Sequence, residues 1–299
     1  MKFLNPIALA AFSLLAAIPA FAGDTSVTAS GTDTALTTPD TRYGPFDLFD
    51  QRSSYGSFPE PFLVDDSDLE ANEFRLDLLH TNGGNQHSED FLGEVEHGFG
   101  LVTVELEVPA EWDDFQGHRV NGMDNINPGI RAPFYQYVSP SGLINTTFGA
   151  GFELGIPMHS SVSKNTEVVP KLFNDLSLGS HITLQSIFGY SMMYGPHAYD
   201  GGLNTFEYGF VLGYTISHDE LPIPDVEQLI PVFELQGYKE LDKGNAAYNE
   251  VLGNAAIRVN TKAIGRIQPR LGVGFVFPMT NAARQDLHWG LFTSLVFEF

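Results

Sequence analysis

The chain has 299 residues, with 15 Lys and Arg against 37 Asp and Glu for a formal charge of -22, and no cysteine. That balance argues against a nucleic-acid partner, because phosphate backbones are bound by clustered Lys and Arg. The missing thiols exclude disulfide scaffolds, Cys-rich zinc sites and thiol nucleophiles. Charged residues make up only 17%, while Gly and Phe number 30 and 24.

Residues 1–22 read as a secretory signal peptide. Lys2 is its positive start, Ile7 to Ile18 its apolar run, and Ala20-Phe21-Ala22 an A-x-A cleavage site before Gly23. Residues 23–42, rich in Thr, Ser, Asp and Gly, have almost no apolar side chains to bury and are expected to be a disordered exported tail. Residues 43–70 mix aromatics with prolines and no clear period, and are expected to be a periplasmic linker or a plug-like segment. Within it, Asp65, Asp66 and Asp68 read as a solvated acidic loop, with a divalent cation as the alternative.

From residue 71 to 299 the chain alternates at period two. Val102, Val104, Leu106 and Val108 alternate with Thr103, Glu105 and Glu107; Phe206, Tyr208, Phe210, Leu212 and Tyr214 alternate with Glu207, Gly209, Val211 and Gly213. Each strand thus has one apolar face and one face of charge or glycine. A β-sandwich alternates too, but three features favour a transmembrane antiparallel β-barrel. Many segments run 11 to 14 residues, long enough for a tilted crossing. Aromatics such as Tyr135, Tyr137, Tyr190, Tyr194, Tyr214 and Trp289 gather at segment ends, where girdles sit. The last nine residues alternate and close on Phe297 and Phe299, an ending that resembles the C-terminal assembly signal of bacterial outer-membrane barrels and implies the barrel-assembly machinery as a partner.

The fold class is therefore all-β, with strands expected over 71–80, 88–97, 101–109, 126–138, 142–156, 166–178, 181–194, 203–217, 228–240, 247–260, 264–278 and 286–299. This gives twelve, or ten if the weakly patterned 166–178 is lost; an even number returns both termini to the periplasm. Short links at 98–100, 139–141, 179–180 and 261–263 fall on the periplasmic side, with 218–227 as a longer exception. The links 109–125, 157–165, 195–202, 241–246 and 279–285 fall outside.

Alternation turns the charged residues inward, since Arg or Lys facing lipid costs about 2–4 kcal/mol. The expected lumen lining is Glu105, Glu107, Glu153, Glu207, Glu234, Arg258, Arg266 and Arg270, with Arg75, Asp77, Glu94, Glu96, Arg131 and Lys171 on the same face. Acids on the early strands and Arg258, Arg266 and Arg270 on late ones could oppose each other as a transverse field. Alternatively they pair into a network that fills the pore.

Several stretches resemble a family, the outer-membrane transporters of the meta-cleavage pathway of phenol degradation. These are Glu94-Val95-Glu96-His97-Gly98, LVTVELEVP (101–109), NPGIRAPF (127–134), GAGFELGIP (149–157), LIPVFELQG (229–237), LGVGFVFP (271–278) and the LVFEF end. The resemblance implies passive uptake of small hydrophobic or aromatic solutes and supplies no catalytic residues. The expected function is an outer-membrane channel, with outer-membrane lipid, lipopolysaccharide and a small solute as partners and with no cofactor or metal. A structural or surface-interaction barrel is one alternative, for which Glu111-Trp112-Asp113-Asp114 could hold cations that bridge lipopolysaccharide phosphates. An outer-membrane lipase or protease is another; His159-Ser160-Ser161 and the Asp286/His288 pair are its candidates, and neither forms a recognisable catalytic motif.

Overall fold

A computed structural model describes residues 58–67, 72–83, 86–99, 102–115, 117–158, 162–195, 204–241 and 249–299. The expected signal peptide and tail lie outside these residues, as do Asp68 and His159-Ser160-Ser161.

The barrel wall consists of β1 (Glu73–Gly83), β2 (Gln86–Phe99), β3 (Val102–Phe115), β5 (Asn127–Val138), β6 (Ile144–Gly155), β7 (Thr166–Leu178), β8 (Ile182–Tyr194), β9 (Asn204–Tyr214), β11 (Val226–Glu240), β12 (Asn249–Thr261), β13 (Gln268–Pro278) and β14 (Trp289–Glu298). Each pairs antiparallel with its sequence neighbour in the wall, and β1 pairs with β14 from Glu73 opposite Glu298 to Asn82 opposite Trp289. The sheet is thereby closed, an all-β barrel of twelve strands. Two short strands are additions to it: β4 (His118–Met123) folds back on the far end of β3, and β10 (Ile216–Ser217) pairs with β11. A helix of four residues, α1 (Ala283–Asp286), sits between β13 and β14.

The stretch 166–178 is a full wall strand, so twelve is the count and not ten. Two boundaries moved furthest. Strand β3 runs on to Phe115 because β4 supplies pairing partners beyond Pro109. Strand β13 begins only at Gln268, because Ile264 and Ile267 close a turn by exchanging backbone hydrogen bonds. In β5 the register shifts between Pro133 and Tyr135, where proline offers no N–H to the ladder. The bulge keeps Tyr135 and Tyr137 outward, both about half exposed.

Phe74, Leu78, Leu106, Phe148, Leu172, Leu212, Leu271 and Leu291 are all exposed on the outer face. A continuous apolar belt on every side has no counterpart on soluble domains and suits hydrocarbon. Tyr137 and Tyr214 edge it at the end carrying the β5–β6 and β7–β8 turns; Tyr194 and Trp289 edge it at the other. Short turns of this kind are expected at a periplasmic end.

Candidate functional site

The lumen holds part of its own chain. Phe58, Glu60, Phe62, Val64, Asp66 and Ser67 are all buried inside the barrel, touching strands on opposite sides. The sequence suits this segment to such a place. Pro59 and Pro61 have fixed φ and no N–H to satisfy away from water, so few backbone groups need partners.

Those groups have partners from the wall. Glu234 accepts the amides of Phe62 at 2.6 Å and Leu63 at 3.0 Å, and Asn254 donates to the same carboxylate at 2.8 Å. The carbonyl of Pro61 accepts from Arg75 at 2.7 Å. Arg258 Nη2 donates to the carbonyls of Glu60 at 2.6 Å and Pro61 at 3.1 Å. The Arg258 guanidinium carbon also lies 4.3 Å from the centre of the Phe62 ring, a cation–π contact.

Side chains extend the attachment. Arg270 binds Glu60 at 2.7 Å and also Glu298. Arg131 reaches Asp66 at 3.1 Å, Glu96 at 2.5 Å and Glu105. Lys171 bridges Asp65 and Glu153, and Ser67 donates to Asp175 at 2.7 Å. Among the described residues, the cations facing the lumen are Arg75, Arg131, Lys171, Arg258 and Arg270, and every one of them holds the 58–67 segment. The remaining described cations, Arg119, Lys164, Lys239, Lys262, Arg266 and Arg284, are exposed.

Apolar packing completes the seat. Phe62 meets Phe292 edge-on with ring centres 5.5 Å apart, within a buried cluster that includes Val64, Ile187, Val211, Ile230, Val232 and Val276. Two glycines make room: a Cβ on Gly272 would lie 2.6 Å from the Phe62 ring, and one on Gly209 would lie 2.3 Å from Val64 Cγ1.

Of the residues expected to line the lumen, Glu105, Glu153, Glu234, Arg258 and Arg270 belong to this network. Glu107 lies next to it and accepts from Asn127 at 3.0 Å. Glu207 borders a small, partly open pocket together with Asp65, Lys171, Ile187 and Gln236. Arg266 is placed elsewhere, in the exposed Ile264–Ile267 turn, because strand alternation does not extend through that turn. Phe297 pairs with Phe74 and Pro269 in the closing seam, and the Phe299 amide donates to Asn72.

No transverse field spans an open lumen, because Arg258 and Arg270 are engaged by Glu60 and its neighbours. Asp65, part-buried, and Asp66, buried, are ion-pair partners of Lys171 and Arg131 and not a solvated loop. Sequence reasoning missed Glu60, Phe62, Glu73, Asp175 and Asn254. The available signal was Phe58, Phe62 and Val64 set around two prolines, too apolar for a solvated linker.

Beyond the segment, Glu167, Glu207, Glu240 and Glu250 share the inward register on one side of the outer half, with Asp90, Glu111 and Asp113 on another. No described cation accompanies them except Lys171 at their base. Asp286 and His288 are exposed at the outer rim.

No protein-family model matches this chain, and no curated protein matches its sequence. Solved structures do. An outer-membrane channel from Pseudomonas putida F1 is similar over 79% of this chain and 100% of its own, at 12% identity and a TM-score of 0.52. The NanC porin is similar over 76% of this chain and 98% of its own, at 10% identity and a TM-score of 0.49. The fold of this chain is that of the outer-membrane β-barrels.

Proposed function

We propose that the protein is a channel of the bacterial outer membrane, exported by its residues 1–22, whose lumen is closed in the periplasmic half by residues 58–67. The observation that carries this reading is that each described cation facing the lumen contacts that one segment. A wall evolved only to fill its own interior has no need to concentrate its positive charge on a separate stretch of chain. Withdrawal of the segment would open a path from the carboxylate-lined outer half to the periplasm.

The stretches that resemble phenol-pathway transporters support small hydrophobic or aromatic solutes as the cargo. Excess lumen carboxylate favours neutral or cationic members of that class over anions. The filled periplasmic half favours one other reading, a structural barrel that never conducts.

Planar-bilayer recording separates the two. The intact chain is expected to conduct weakly or intermittently, and a chain lacking residues 58–67 steadily and with cation preference in its reversal potential. Bilayers that stay sealed with both folded proteins would overturn the channel.

A further inference from the structure

Glu73 opens β1 in a row of acids. Across the sheet it faces Glu298 on one side and Glu96 on the other, and Glu96 faces Glu105 on the next strand. Above this row the inserted segment adds two more carboxylates, so that oxygens of Glu60, Asp66 and Glu73 lie within 4.8 Å of one another, all three residues buried. Ion pairs reach most of this group: Arg270 serves Glu298 and Glu60, and Arg131 serves Glu96, Glu105 and Asp66. Arg75 points its donors at Asp77, Glu94 and the Pro61 carbonyl.

Glu73 is different. Its side chain is 2% exposed, and its Oε1 is buried without a hydrogen-bond partner. A buried carboxylate among other carboxylates costs several kcal/mol unless charge or donors compensate it. The spacing admits a compensating ion: oxygens up to 4.8 Å apart can all touch one Ca²⁺, which binds at about 2.3–2.6 Å and tolerates irregular, carboxylate-rich shells. Mg²⁺ demands shorter bonds and stricter octahedral geometry and fits less well.

We infer that Glu60, Asp66 and Glu73 form a Ca²⁺ site joining the inserted segment to the first wall strand. Two ligands come from the segment and one from the wall, so the ion fastens the segment in its seat. The neighbouring trio Glu94, Glu96 and Glu105 is equally close-set but already has Arg75 and Arg131. The inference concerns occupancy of the seat and holds whether or not the barrel conducts.

The test uses the full refolded barrel in detergent, with Ca²⁺ alone as probe, following thermal midpoint and radioactive Ca²⁺ retention by equilibrium dialysis. Ca²⁺ is expected to raise the midpoint over chelator, as any ligand of the folded state does, and Mg²⁺ to raise it less. Glu73→Gln should lose the Ca²⁺ shift and one retained ion. Asp113→Asn, in the separate acidic group at the outer end, should keep both. If Glu73→Gln does not fold, Glu60→Gln carries the same expectation. An undiminished shift in the folded variant, or no shift and no retained ion in the unaltered chain, would overturn the site.

Discussion

Glu234 on β11 receives the backbone amide of Phe62 at 2.6 Å, across 172 residues of sequence. A carboxylate accepting two backbone N–H groups and one side-chain amide acts toward the segment as an extra strand edge would. Glu234→Gln replaces one acceptor oxygen with a donor, so the Phe62 and Leu63 amides cannot both be satisfied. Hydrogen bonds to charged groups contribute about 1.5–3 kcal/mol, so the open-to-closed ratio should rise by roughly ten- to a hundredfold. Single-channel open probability is the readout, and an unchanged value in a folded barrel would refute the role given to Glu234.

Gly272 and Gly209 test the same seat by volume instead of charge. Gly272→Ala sets a methyl 2.6 Å from Phe62, and Gly209→Val sets a larger group against Val64. Overpacking of this kind costs about 1–3 kcal/mol. Here the segment can leave where a wall strand cannot, so conductance should increase while the barrel remains resistant to urea.

Arg131 and Arg266 were equivalent in the sequence and are opposites in the structure. Arg131→Ala removes the cation shared by Asp66, Glu96 and Glu105, and breaking a buried pair this way costs about 3–5 kcal/mol. Arg266→Ala, on an exposed turn, should stay within about 0.5 kcal/mol. Urea unfolding in lipid vesicles compares them, and equal effects would contradict the placement of both.

Asp124 lies in the link between β4 and β5, beyond the wall strands. Burial pushes its carboxyl above the usual range, partly opposed by the Asn125 amide that donates to it at 2.7 Å. An acid raised in the folded state contributes stability that is complete below its unfolded value, near 4, and is lost as pH rises through the folded one. Amide exchange around Asn125 and Ile126 should therefore quicken as pH rises from that point, beyond the intrinsic base-catalysed increase. Asp124→Asn should remove the excess; an excess that survives the substitution would assign it to another group.

The wall was legible because period-two alternation is a local property. Leu106 outward with Glu105 and Glu107 inward follows from one short stretch, whereas the weakly patterned 166–178 was established as β7 only by its pairing with β6 and β8. The seat was not legible, because its partners are far apart in sequence: Glu60 and Arg270 are separated by 210 residues. Inward residues such as Phe292, Val276 and Ile230 also broke the rule that one face carries charge or glycine. They are apolar because Phe62 and Val64 stand in front of them, and nothing in β11, β13 or β14 announces that. Arg266 was assigned inward by carrying strand alternation into residues that form a turn.

The seated segment is joined to β1 by only the few residues between Ser67 and Asn72, a span of at most about 20 Å when extended. It is in effect a ligand tethered to its own receptor. Short tethers hold the local concentration of such a ligand in the millimolar range, so each excursion from the seat meets a strong statistical pull back into it. On the proposed channel reading, closure is then the resting condition, restored by the chain itself. What a solute or a change of ions has to supply is only the advantage of the released form over a rebinding event that never has to wait for diffusion.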